Sequence, residues 1–93
     1  MTYYVYILLC ADGSYYVGQT DDLEKRFAEH KAGKGSRYNA SRLPVEPVYI
    51  ESLPSRAQAM ARESQLKKWS RAKKEALISG DRETLGSLSQ SRD

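Results

Sequence analysis

The hydrophobic and polar positions of this chain first mark out three strands. Residues 2–10 carry Tyr, Val, Ile and Leu almost without a break, a pattern typical of a strand buried on both faces or nearly so. Residues 14–20 predict a second strand, and residues 45–53 predict a third, in which Pro47 favours an edge position. The sequence therefore predicts a small sheet of three strands.

Two helical stretches separate and follow these strands. The first begins after Thr20 or Asp21, either of which can cap it, and ends near Lys31, where a glycine-containing segment follows. The second covers residues 55–79, with a break near Ser70. The predicted order is β-β-α-β-α-α, which belongs to the α/β (α+β) class.

The predicted domain spans residues 1–80, because Gly80 is a natural helix end and the core is modest. Residues 81–93 are poor in apolar side chains and rich in serine, so we expect a weakly ordered tail. Cys10 is the single cysteine, no apolar stretch is long enough to cross a bilayer, and the first residues do not resemble a signal peptide. We therefore expect a cytoplasmic protein without a membrane partner.

The turn between the first two strands decides which side chains meet. A two-residue Asp12-Gly13 turn would place Tyr6 and Tyr16 on different faces of the hairpin. A three-residue loop ending in a left-handed Gly13 instead pairs Tyr6 with Gly18 and puts both tyrosines on one face. In that register Gly18 leaves open space beside Tyr6, and a shared pocket becomes possible.

The first helix carries polar side chains on its apolar stripe. Arg26 and His30 share this stripe with Leu23 and Phe27, and they lie one turn apart, so they can address one ligand together. Glu63 lies in the middle of the apolar stripe of the second helical stretch. Because a buried carboxylate needs a partner, we expect either an ion pair with Arg26 or a divalent cation there.

This set of side chains can cleave a phosphodiester, and the charge distribution suits a polyanion. Mg²⁺ needs only one or two carboxylates, because it keeps waters and phosphate oxygens as further ligands. The net charge is +3, but residues 56–74 hold seven basic side chains against the single acid Glu63. Such a segment favours nucleic acid, although a solvated helix face has the same composition.

The ordered spacing of these motifs resembles the GIY-YIG nuclease superfamily over about residues 3–78. The matching features are "YVY" at residues 4–6, "YVG" at 16–18, the arginine and histidine that follow, and the later helical glutamate. The short chain looks most like the small, single-domain bacterial members. The resemblance implies an α/β sandwich around a central three-stranded, mostly antiparallel sheet, and a DNA endonuclease that uses one Mg²⁺ or Mn²⁺ ion.

The resemblance also implies roles for individual residues. Tyr6 and Tyr16 would carry the motif tyrosines, either of which can orient or deprotonate the attacking water, and Gly18 would keep the sheet surface open. Arg26 would contact the scissile phosphate, with His30 beside it, and Glu63 would bind the metal. Two departures are that Tyr4 replaces the glycine of the first motif and that no asparagine follows Asn39.

Nucleic-acid recognition would then fall to side chains of this domain alone. The basic loop before the third strand and the second helical stretch supply them, which favours binding of shape or of single strands. The candidates are Lys34, Arg37, Tyr38, Arg42, Lys67, Lys68 and Arg71. We expect DNA more than RNA as the partner and no obligate protein partner.

Two further classes of function compete with a metal-dependent endonuclease. A nucleic-acid-binding module would keep this fold with little or no catalytic activity. A protein-interaction domain would instead use its tyrosines as a partner surface. Cleavage that a chelator abolishes would indicate the endonuclease. Salt-dependent binding without cleavage would indicate the binding module, and a lack of nucleic-acid binding at low salt would indicate the protein-interaction domain.

Overall fold

The computed structural model describes residues 1–35 and 37–80 of the chain, and within them it has three strands, three main helices and one short helical turn. In chain order these are β1 (Tyr3–Cys10), β2 (Tyr15–Thr20), α1 (Leu23–Lys31), α2 (Arg37–Ala40), β3 (Val45–Leu53), α3 (Arg56–Lys67) and α4 (Arg71–Ser79). The predicted order and α+β class are confirmed, with α2 added as one turn inside the predicted basic loop. The tail predicted at 81–93 lies outside the described residues.

The sheet has the order β2-β1-β3, and both pairings are antiparallel. β1 lies in the centre because its apolar residues face both sides, and Val5, Tyr6, Ile7 and Leu8 are all buried. β3 lies at the edge, as Pro47 predicted. The register of β3 shifts by one residue next to Pro47.

The β1–β2 hairpin turns through a three-residue loop. The Cys10 N–H donates to the Ser14 carbonyl at 2.9 Å, and Gly13 takes a φ of 84°, which is the left-handed region that favours glycine. This loop pairs Tyr6 with Gly18. The register that brings both motif tyrosines to one face is therefore confirmed.

The two faces of the sheet pack against different helices. On one face, Val5, Ile7 and Val17 form a buried cluster with Ala59 and Leu66 of α3. On the opposite face, a second cluster forms around Tyr6, Leu8, Cys10 and Val45, and it includes Leu23 and Phe27 of α1. The sheet is thus sandwiched between helices, and the tyrosine face is the α1 face.

The start of α1 differs from the prediction. The N-cap is Asp22, whose carboxylate accepts the Lys25 N–H at 3.1 Å, rather than Thr20 or Asp21. The Thr20 hydroxyl instead accepts the N–H of Asp22, which begins the helix one residue later. This start brings Arg26 and His30 onto the face that packs against the sheet.

The second helical stretch divides where the sequence predicted. Ser55 caps α3, and α3 ends at Lys67. Ser70 then caps α4 by accepting a backbone N–H, and Gly80 ends α4 with a φ of 75°. The described part of the chain has no helix long and apolar enough to cross a membrane.

Candidate functional site

The phenol of Tyr6 lies at the centre of the polar cluster between β1 and α1. Its oxygen is 2.8 Å from Nε2 of His30, and it accepts a longer hydrogen bond of 3.4 Å from Nε of Arg26. Because a guanidinium can only donate, the phenol hydrogen is free to point toward His30. A neutral imidazole that accepts at Nε2 completes this arrangement.

Burial fixes the protonation states of this pair. Tyr6 and His30 are both fully buried. Burial raises the pKa of Tyr6 to about 12, and the nearby Tyr16 and Glu63 add to this rise while Arg26 opposes it. Burial, with the positive charge of Arg26, lowers the pKa of His30. At neutral pH the pair is therefore a protonated phenol beside a neutral imidazole.

Arg26 is held in place by three partners. Besides Tyr6, its Nη2 donates to the Gly35 carbonyl at 2.8 Å, and its Nη1 lies 3.4 Å from Oε1 of Glu29. The side chain is still 30% exposed. Arg26 is therefore both anchored to the buried cluster and open to a ligand from solvent.

Gly35 is a site residue that the sequence reasoning missed. A Cβ at this position would run into the His30 imidazole, so only glycine lets the loop lie against the ring. Its carbonyl also accepts the hydrogen bond from Nη2 of Arg26. The glycines of "AGKGS" signalled only a helix end and a loop, because nothing local in the sequence shows what packs against them.

Tyr16 completes the aromatic part of the cluster. Its ring meets the His30 ring edge to face, with centroids 5.2 Å apart, and Tyr6 makes similar edge contacts with Phe27 and His30. Tyr16 remains partly exposed, whereas Tyr6 is not. The structure thus brings both motif tyrosines to His30 but gives only Tyr16 access to solvent.

Gly18 differs from the expectation of open space beside Tyr6. A Cβ on Gly18 would lie 2.5 Å from the Tyr6 hydroxyl and 2.6 Å from Cζ of the same ring. The end of the Tyr6 side chain therefore occupies the space above Gly18. The glycine serves the site by letting this phenol lie flat on β2.

Glu63 lies on α3, which packs on the face of the sheet opposite to Tyr6, and it is not paired with Arg26. Its carboxylate is 23% exposed and lies 3.7 Å from Nζ of Lys67, one turn along the helix. It is close enough to contribute to the raised pKa of Tyr6. Of the two partners predicted for Glu63, the ion pair with Arg26 does not form within the described residues.

The donor set fits a metal ion that is held by one carboxylate and by the substrate. Within residues 1–35 and 37–80 no group of three or more His, Cys, Asp or Glu side chains could cage an ion. Mg²⁺ does not need such a cage when phosphate oxygens and waters complete its coordination. The 3.7 Å contact with Lys67, whose side chain is half exposed, is screened by solvent and weak enough for a divalent ion to displace.

The predicted substrate-binding residues divide into anchored and open side chains. The Arg42 guanidinium binds Asp12 at 2.9 Å and stacks 3.9 Å from the centroid of the Tyr38 ring. Arg71 binds the Gly13 carbonyl at 2.6 Å and Glu75 at 2.9 Å, so it fastens α4 to the hairpin. These contacts give Arg42 and Arg71 a structural role in addition to the predicted one.

The remaining candidates are more open. Tyr38 is exposed, and its ring centroid lies 6.0 Å from that of Tyr16. Lys34 and Lys68 are exposed and form no ion pair within the described residues, and the side chain of Arg37 lies outside the described part of the chain. Tyr38 therefore extends the aromatic cluster toward the surface.

Comparison with known proteins identifies the family of this chain. The GIY-YIG catalytic domain family matches residues 2–76. The chain belongs to the GIY-YIG family, and several UPF0213 proteins are similar to it. One from Natronomonas pharaonis is 48% identical, covering 85% of this chain and 93% of that one. Another from Streptococcus pneumoniae is 45% identical, with 82% and 77% covered.

Two solved structures show the same fold. The solution NMR structure of a UPF0213 protein from Bacillus halodurans has a TM-score of 0.56 at 46% identity and covers 85% of this chain and 84% of that chain. The solution NMR structure of a protein from E. faecalis has a TM-score of 0.60 at 36% identity, with 88% of each chain covered. The predicted resemblance is confirmed, and the family is one of nucleases.

Proposed function

We propose that this protein is a divalent-metal-dependent endonuclease that hydrolyses phosphodiester bonds in DNA, in a structure-specific or repair role. The observation that carries the proposal is the buried Tyr6–His30 hydrogen bond with the partly exposed Arg26 beside it, in a chain of the GIY-YIG family. We also propose a cytoplasmic location, without a membrane or obligate protein partner.

The exposure of each side chain suggests its part in the reaction. Arg26 is open to solvent while its other donors are fixed, so it binds the scissile phosphate and stabilises its developing charge. Tyr16 is partly exposed and orients the attacking water. The buried pair of Tyr6 and His30 holds Arg26 and Tyr16 in position.

Glu63 would hold one Mg²⁺ or Mn²⁺ ion. When bound, such an ion supplies positive charge to the phosphate and to the leaving oxygen. The carboxylate is partly exposed, and its neighbour Lys67 has a half-exposed side chain that can turn to solvent when an ion binds. Lys67 then becomes free to join Lys34, Arg37, Tyr38, Arg42, Lys68 and Arg71 as a contact for the nucleic-acid backbone, with DNA favoured over RNA.

One observation favours a second candidate, a nucleic-acid-binding module of the same fold. Tyr6 and His30 are closed to solvent, and a site without a path for water would bind without cutting. Such a module would retain the salt-dependent contacts of its basic side chains. Its binding would not change when a chelator is added.

A cleavage screen tests the proposal. Purified protein is incubated with single-stranded, duplex, flap and branched DNA in Mg²⁺, Mn²⁺ or EDTA, with the corresponding RNAs in parallel. We expect cleavage of at least one DNA substrate that EDTA abolishes. Binding to all of these substrates with no cleavage in either metal would support the binding module and overturn the proposed endonuclease.

A further inference from the structure

An open cleft lies next to Arg26, and His30 is not among the residues that line it. It forms where β2 ends and where α1 and α3 begin, and its volume is about 310 Å³. The residues that line it are Tyr3, Gln19, Thr20, Asp21, Arg26 and Arg56. Residues of β1, β2, α1 and α3 therefore build its wall, and Arg26 belongs both to the cleft and to the polar cluster around Tyr6.

Arg56 is unusual among the arginines of the described chain. It is exposed, and within the described residues its side chain makes neither a hydrogen bond nor an ion pair. By contrast, protein groups engage each of the other arginines whose side chains are described, namely Arg26, Arg42, Arg62 and Arg71. The structure thus leaves the Arg56 guanidinium available to a ligand in the cleft.

The chemistry of the wall selects an anion rich in oxygen. The charged groups of the wall are the two guanidinium groups of Arg26 and Arg56 and a single carboxylate, that of Asp21, and the amide of Gln19 adds another donor. The Thr20 hydroxyl is already engaged with the Asp22 backbone. Guanidinium groups match the geometry of phosphate oxygens, so a phosphate is the anion that this wall fits best.

The position of the cleft along α3 relates it to the candidate metal ligand. Arg56 and Glu63 lie seven residues apart on one side of the helix, which corresponds to about 10 Å along its axis. Arg26 lines the cleft and also belongs to the polar cluster around Tyr6. A strand whose scissile phosphate lies at Arg26 and Glu63 therefore has a neighbouring phosphate within reach of the cleft.

We propose that this cleft is a subsite for a second phosphate of the bound nucleic-acid strand, with Arg56 as its principal ligand and Arg26 shared between the two phosphates. The inference rests on the proposed nucleic-acid function. It adds that the protein recognises two adjacent phosphates of one strand through two particular arginines, Arg26 and Arg56, rather than through its basic surface alone.

Salt-dependent binding tests the contribution of Arg56. Affinity for a fluorescent oligonucleotide is measured in EDTA over a series of salt concentrations, for the natural protein, Arg56→Ala and the control Lys25→Ala, an exposed lysine on α1. Removing one phosphate contact should lower the slope of log K against log salt by about 0.7–0.9 and weaken binding roughly tenfold at low salt. Lys25→Ala should leave both values unchanged.

A neutral linkage locates the contact on the strand. Oligonucleotides that carry a single methylphosphonate at successive positions are bound to the natural protein and to Arg56→Ala. We expect one position where the neutral linkage weakens the natural protein but has no further effect on Arg56→Ala.

The two failures are distinguishable. If the natural protein binds DNA while Arg56→Ala behaves like Lys25→Ala and no position depends on Arg56, the phosphate subsite is wrong and the proposed function stands. If the natural protein binds no nucleic acid at low salt, the proposed function itself is overturned.

Discussion

The contact between Gly18 and Tyr6 makes Gly18→Ala a sensitive probe of the site. The added Cβ would lie 2.5 Å from the Tyr6 hydroxyl and 2.6 Å from Cζ, well inside the roughly 3.5–4.0 Å at which carbon atoms attract each other. Neither β2 nor the buried phenol can move without disturbing the sheet or the hydrogen bond to His30. The substitution therefore perturbs stability and catalytic geometry together.

The expected loss of stability follows from two opposing effects. Overpacking of a well-packed site costs about 1–3 kcal/mol. Alanine is better than glycine in a strand by about 0.5–1 kcal/mol, which offsets part of this cost. With a contact this short, we expect a net loss of about 1–2 kcal/mol. For a domain of this size each kcal/mol lowers the melting temperature by about 4–8 °C.

The assay is thermal unfolding of Gly18→Ala in two backgrounds. In the natural protein the melting temperature should fall by about 4–16 °C. In a Tyr6→Leu background the phenol no longer lies over Gly18, and only Cε1 of Tyr16 stays close, at 3.1 Å from the added Cβ, so the same substitution should lower the melting temperature by clearly less than in the natural protein. An unchanged or raised melting temperature in the natural background would refute the placement of the phenol over Gly18.

Three further predictions concern the charged and titratable groups. Because folding lowers the pKa of His30, the imidazole binds a proton more readily in the unfolded chain than in the folded one. Stability should therefore fall as the pH drops below about 6.5. His30→Gln should flatten that part of a plot of melting temperature against pH. Burial raises the pKa of Tyr6 and of Tyr49 from 10.0 to about 12, so stability should fall as the pH rises from 10 to 12. In a plot of melting temperature against pH, Tyr6→Phe and Tyr49→Phe should each make this fall shallower. Arg26→Lys keeps the charge but loses the planar set of donors, so cleavage should drop by about 10²-fold or more while DNA affinity in EDTA changes little; equal cleavage rates would contradict the role of the guanidinium.

Much of the fold could be predicted because local patterns and packing agree. The unbroken apolar run of β1 requires cover on both faces, and a central strand between two helical layers supplies it. Asp12-Gly13 limits the hairpin to two loop lengths, and only one of them unites Tyr6 with Tyr16. The identity of the cap of α1 was beyond reach, since three consecutive residues, Thr20, Asp21 and Asp22, can all accept a backbone N–H.

The site was predicted as a set of residues, but its contacts were not. Helical spacing brings Arg26 and His30 to the sheet, yet it cannot show that Gly35 lies against His30, because that contact depends on how a loop folds back. Spacing also left Glu63 with two possible partners, and the observed neighbour is Lys67 on its own helix. Arg71 was predicted to bind nucleic acid, and its hydrogen bond to Gly13 was not predicted because that partner is far away in sequence.

Single-turnover cleavage by Glu63→Gln tests the central claim most directly. The variant keeps the shape of the side chain but removes the charge that would hold the divalent ion, and Glu24→Gln removes an equal charge from the exposed first turn of α1. On a substrate found in the cleavage screen, we predict a loss of about 10²-fold or more for Glu63→Gln, with DNA binding in EDTA retained, and no loss for Glu24→Gln. Cleavage by Glu63→Gln at the rate of the natural protein would contradict the assignment of Glu63 as the metal ligand.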